Sequence, residues 1–150
     1  MKQLLFIGLV LIITFNCKES NEKNLSAFDR QMTANTHPGK KLMETNCYVC
    51  HSPALSHDDR IGPPMIAVKK HYLRKTTTKE EFKKAIQDWI DNPNENDARM
   101  RGAVRRFGVM PKQTFSEETI EQIADYMFDN AIEQPEWFED HFKNYKKRDM

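Results

Sequence analysis

The sequence predicts an all-α fold. Three observations carry this expectation: two runs open on capping signals and continue at helical spacing, a third sets its aromatic residues along one side, and no stretch alternates apolar and polar residues between turns as a strand would. The chain has 150 residues, 39% hydrophobic and 30% charged, which suits one soluble globular domain. A domain of roughly 110 residues buries a modest share of its surface, so a large apolar cofactor would add materially to its core. The formal charge is +1; without Lys2, basic and acidic side chains balance at 22 each, so no polybasic surface for nucleic acid is expected.

The elements follow in chain order. Residues 1–16 have the pattern of an export signal: Lys2 supplies the positive start, and Leu4 to Phe15 form an apolar run broken only by Gly8 and Thr14. That run is too short to span a bilayer as a mature helix. Cys17 follows directly, where a bacterial lipoprotein carries its acylated first residue, and the polar Lys18-Glu19-Ser20 suits a lipid-tethered linker. An ordinary cleaved signal beside a coincidental cysteine is the alternative, since Phe15 and Asn16 are bulkier than the small residues usual before a lipidated cysteine. Residues 17–36, rich in Asn, Ser, Lys and Glu, form a polar tether with at most a short helix around Leu25 to Met32.

The compact domain spans 37–132 and opens at Pro38-Gly39. Thr78 with Glu81 makes a capping box, after which Phe82, Ile86, Trp89 and Ile90 recur at helical spacing until Asn92-Pro93. Ser116 caps a second helix, with Glu117 and Glu118 at the positive end of its dipole and Ile120, Ile123, Ala124, Met127 and Phe128 along its stripe. The last segment, 133–150, is a third amphipathic helix from Pro135, with Trp137, Phe138, His141, Phe142 and Tyr145 on one side.

Cys47-Tyr48-Val49-Cys50-His51 is the strongest chemical signal. Its two thiols sit about one helical turn apart, so both can form thioethers with one haem while the adjacent histidine lies beneath the iron. A zinc site would need four ligands, and Cys17 is the only other thiol. A thioredoxin-like pair should follow a strand, and none precedes it.

From Gly39 to about Phe128 these surroundings resemble the class I cytochrome c family. Gly39 stands eight residues before Cys47, where the family has a glycine that lets its first helix cross its last; Met43, Ile123 and Tyr126 fall where that crossing is packed. Gly62-Pro63-Pro64-Met65 matches the family's Gly-Pro. The resemblance implies that the Pro63 carbonyl accepts from Nδ1 of His51, that Met65 lines the haem edge, and that Met110-Pro111, with Met110 59 residues after His51, supplies the second axial ligand. Met100 competes with Met110, and His71 and His57 stand further back, because the segment from Pro93 to Met110 is longer and more basic than the family's. Trp89 resembles an aromatic packed on the methionine side of the haem, where core packing is an equal reading.

The resemblance implies one covalent haem c and a one-electron carrier with no catalytic residues. A second CxxCH motif or a distal acid–base group, expected of a peroxidase, is absent from the sequence. The alternative is a haem-based sensor or small-molecule binder with a displaceable methionine. The partners implied are a quinol-oxidising complex upstream and a terminal oxidase or reductase downstream, with the protein lipid-anchored on the periplasmic side of a bacterial membrane.

Overall fold

The computed structural model describes residues 26, 29 and 31–148, and of 146–148 the backbone alone. The expected signal segment and Cys17 lie outside the described residues. The chain divides into two units, 1–36 and 37–150. In the first, 31–36 is helical, beyond the short helix expected to end at Met32. The hydroxyls of Thr33 and Thr36 there donate to the carbonyls of Asp29 and Met32, at 2.6 and 3.1 Å.

Among its described residues the second unit is all helical: α1 Pro38–Asn46, α2 Tyr48–His51, α3 Met65–Tyr72, α4 Lys79–Asp91, α5 Arg101–Phe107, α6 Glu117–Asp129 and α7 Phe138–Arg148. No described helix is long and apolar enough to cross a membrane. The two helices announced by their caps form as expected. Thr78 accepts from the Glu81 amide while Glu81 accepts from the Thr78 amide, and Ser116 accepts from the Thr119 amide. Each reciprocal bond satisfies a donor that the first helical turn leaves unpaired.

The main packing joins α1 to α6, with α4 against α6 next. Gly39 is what allows the first crossing. A Cβ there would run into the Gln122 backbone and stand 2.8 Å from the Tyr126 Cβ, so no larger residue fits without separating the helices. Met43, Ile123 and Tyr126 close around it at 3% exposure or less. The start of α1 is also fastened to α6: His37 Nδ1 accepts from the Gly39 amide at 3.1 Å, which leaves its Nε2–H to donate to Asp125 at the same distance. Lys79 of α4 reaches Asp125 and Asp129 at 2.6 and 2.7 Å, and its hydrogen bond is the main reason the Asp125 carboxyl titrates below the usual range.

Phe82 of α4 is fully buried and meets Phe128 edge to face, with ring centroids 5.8 Å apart. Burial of a side chain of this size stabilises by about 1.5–3 kcal/mol. α3 is tied to the far end of α6 by Lys69, whose ammonium donates to the carbonyl of Asn130 at 2.7 Å. A cation is well placed there, where the helix dipole is negative and the last carbonyls lack partners.

Candidate haem-attachment site

The cysteine motif is held by the end of the α1–α6 crossing. The Cys47 amide donates to the Met43 carbonyl at 2.8 Å, so the buried Met43 and the first thiol lie one turn apart on a continuous path. The Cys47 carbonyl then accepts from the amides of Cys50 and His51, at 3.2 and 2.9 Å, which winds 48–51 into the single turn α2. Both thiols are free. Cys47 is half-buried, and burial pushes its thiol up to about 11, whereas Cys50 is exposed. Val49 between them is 72% exposed, an apolar side chain facing outward beside the thiols.

His51 is oriented by the loop that follows it. Its Nδ1 lies 2.6 Å from the Pro63 carbonyl oxygen. A carbonyl can only accept, so Nδ1 carries the proton and Nε2 is left as the lone-pair nitrogen of the neutral ring. Burial lowers the pKa of His51, and the Pro63 bond opposes this in part, so the ring is neutral, the form that binds a metal. Gly62 makes the approach possible: a Cβ there would meet the Cys50 carbonyl at 3.0 Å and the His51 ring at 3.4 Å. Two free thiols one turn apart, beside a neutral imidazole whose other nitrogen is already bonded, fit a haem held by two thioethers and one nitrogen ligand.

The remaining candidates sit as follows. Met65 opens α3 after Pro64 and is 7% exposed. Met110 is half-buried in the non-helical stretch between α5 and α6, two residues after Gly108, whose φ of +81° ends α5. Met100 caps the start of α5, its carbonyl accepting from the amides of Ala103 and Val104. Trp89 is half-buried and lines a cleft with Tyr72, Asp88 and Arg99. The two outlying histidines are engaged elsewhere. His71 Nδ1 donates to the Ala67 carbonyl at 2.8 Å, and His57 Nδ1 lies 2.8 Å from Asp58. No group of three or more His, Cys, Asp or Glu able to hold a metal ion occurs among the described residues.

Sequence reasoning did not find the grip that the C-terminal segment has on the loop after His51. Trp137 Nε1 donates to the Leu55 carbonyl at 3.0 Å, across 82 residues. No local pattern announces a side chain bonded to a distant backbone carbonyl; the one available signal was a large aromatic in a segment with no other assigned partner.

In comparisons with known proteins, no curated protein and no solved structure matches this chain. The family model for cytochrome c matches residues 36–130, which hold the α1–α6 crossing, the cysteine pair and His51. The chain therefore belongs to the cytochrome c family of electron-transfer proteins, and Cys47 and Cys50 are the pair through which it carries haem c.

Proposed function

We propose that this protein is a monohaem electron carrier with His51 and Met110 as axial ligands, working on the periplasmic side of a bacterial membrane to which a lipid on Cys17 holds it. The bond from His51 Nδ1 to the Pro63 carbonyl carries the reading, because it fixes the ring and makes Nε2 the more basic ligand atom. When bound, the haem supplies a one-electron Fe(II)/Fe(III) couple. The chain's part is to keep the ligands still. His51 is braced by Pro63, and Met110 stands on a short segment bounded by Gly108 and the Ser116 cap. Met100 suits the role less, since it lacks the following proline that makes Met110-Pro111 resemble the family's axial methionine. The domain bounds proposed with this reading are a signal over 1–16, a tether over 17–36, the haem domain over 37–132 and an extension over 133–150. Met65 and Trp89 take places along the haem, Met65 from the buried start of α3 and Trp89 from the cleft side of α4.

Acid–acetone treatment of protein made with c-haem maturation machinery is expected to leave the haem on the polypeptide, and its pyridine haemochrome spectrum to be that of a c-type haem. Mass spectrometry is expected to find one haem per chain. Release of the colour into the solvent would end this reading.

The lipid anchor has its own test. The mature protein is expected to begin at Cys17 with acyl mass attached, and Cys17→Ser to abolish that mass and release the protein from membranes. A mature amino terminus beyond Cys17, with no added mass, rejects the anchor and leaves the carrier standing. The partners that suit such a carrier are a quinol-oxidising complex as donor and a terminal oxidase or reductase as acceptor. The sensor reading has one observation on its side: Met110 stands outside any helix, where a ligand can leave iron with little loss of structure.

A further inference from the structure

The C-terminal segment lies beyond the residues matched by the family model, yet it is well packed. Phe138 is 2% exposed and Pro135 is buried. It packs on α3, where Lys70 pairs with Glu139 and faces the Phe138 and Phe142 rings, and through Trp137 it also reaches the loop between His51 and Gly62. Besides the Trp137 bond to Leu55, the Arg60 guanidinium lies over the Trp137 ring, 4.6 Å from its centroid, while Arg60 Nε donates to the His57 carbonyl at 2.7 Å. A cation over an indole is attracted by the ring's negative face, more strongly where water is partly excluded. The His57 ring meets Trp137 edge on, with centroids 5.2 Å apart.

The same loop is gripped from a second direction. Arg106 of α5 donates through Nη2 to the His57 carbonyl at 2.8 Å, and its Nη1 stands 3.2 Å from His57 Nε2. Nη1 is also 3.4 Å from His57 Nδ1, so the guanidinium faces the imidazole ring, and the directed bond is the one from Nη2 to the His57 carbonyl. Arg60 closes the arrangement by also facing Phe107, at 5.3 Å. Three stretches thus meet at His57: the loop that leads from His51 to Pro63, the helix that ends shortly before Met110, and the extension.

We infer that Trp137 is a positioning residue for both axial segments. Its bond to Leu55 and its stacking with Arg60 hold the 52–61 loop in the shape that lets His57 receive Arg106, and this in turn fixes α5 and the Met110 segment behind it. The extension is then a strap across the two sides of the haem site, not only a cover for apolar surface. The part of this inference that concerns Met110 rests on the ligation proposed above; the coupling of loop to helix does not.

The test uses the full-length holoprotein and three variants: Trp137→Leu, Arg106→Gln, and Lys143→Ala as a control on an exposed side chain of α7. Hydrogen exchange is read at the amides of 55–62 and of 101–109, and the rate at which carbon monoxide binds the ferrous protein is read beside it. Trp137→Leu is expected to speed exchange at least tenfold in both stretches and to raise the carbon monoxide rate at least tenfold. Arg106→Gln, a surface change that leaves the core intact, is expected to do the same for 101–109 and for carbon monoxide. The control should match the wild type. If Trp137→Leu lowers the melting temperature but leaves 101–109 and the carbon monoxide rate within twofold of the wild type, the extension is only a cover and the inference is overturned. If exchange responds as expected but the wild type already binds carbon monoxide freely, the coupling stands and the Met110 ligation fails.

Discussion

Replacing Met110 with alanine is expected to remove the weak long-wavelength sulfur-to-iron charge-transfer band of the ferric protein, to open ferrous iron to carbon monoxide, and to lower the reduction potential by on the order of 0.1–0.3 V, within the roughly 0.8 V that axial ligands command. The reason is electronic. A thioether from Met110 would favour ferrous iron, and without it His51 would be the one proposed ligand left to hold the iron. Met100→Ala should do none of this, because Met100 lacks the following proline of Met110-Pro111 on which the ligand assignment rests. The comparison is decided by the absorption spectra of the two variants side by side. A band that survives the Met110 change and disappears with the Met100 change would reverse the assignment. Ready binding of carbon monoxide by the unaltered protein would favour the sensor.

The second large effect concerns the fold. Gly39→Ala adds one methyl group where the Gln122 backbone already stands, and neither helix can give way without uncovering Met43, Ile123 and Tyr126. Overpacking of a rigid contact costs about 1–3 kcal/mol and more where backbone must move, so a fall in melting temperature on the order of 10–20 °C is expected. Gly102→Ala is the natural comparison. A Cβ at Gly102 meets only the flexible end of Arg105, at 3.9 Å, and alanine is the better helix former by about 1 kcal/mol. Calorimetry of the two holoproteins should therefore give shifts of opposite sign or very unequal size; equal, small shifts would mean that the crossing is more compliant than its geometry indicates.

How much of this was legible in the sequence depends on where each signal resides. α4 and α6 carry their information locally, in Thr78 with Glu81 and in Ser116, followed by apolar residues on one stripe. α3 and α5 do not. α3 begins after Pro64 with no capping side chain and lasts eight residues, and α5 begins at Met100, also uncapped, and buries none of its seven residues. Without a cap, the apolar Met65, Ile66, Ala67 and Tyr72 of α3 were too short a run to announce a helix, and in α5, which has no buried face, the arginines from 99 to 106 left no pattern to detect. The cysteine pair and His51 were legible because thioether attachment demands fixed spacing. His57 and His71 could be weighed only as remote ligands: Asp58 and the Ala67 carbonyl engage them locally, but Arg106 meets His57 only through the fold, across 49 residues.

The crossing of α1 and α6 also bears on the order in which the chain can close. His37 and Asp125, which fasten it, are 88 residues apart. Contacts between such distant partners form late, since the intervening loop must be closed before any of them is made, and they slow folding relative to local helices. The cysteine pair lies inside that loop, beside the α1 face that only α6 can cover. While the terminal helices remain apart, both thiols stay within reach of an attaching enzyme; once they meet, Cys47 is half-buried and its thiol resists ionisation. Covalent attachment is thus easier before closure than after it, when burial holds the Cys47 thiol in its protonated form.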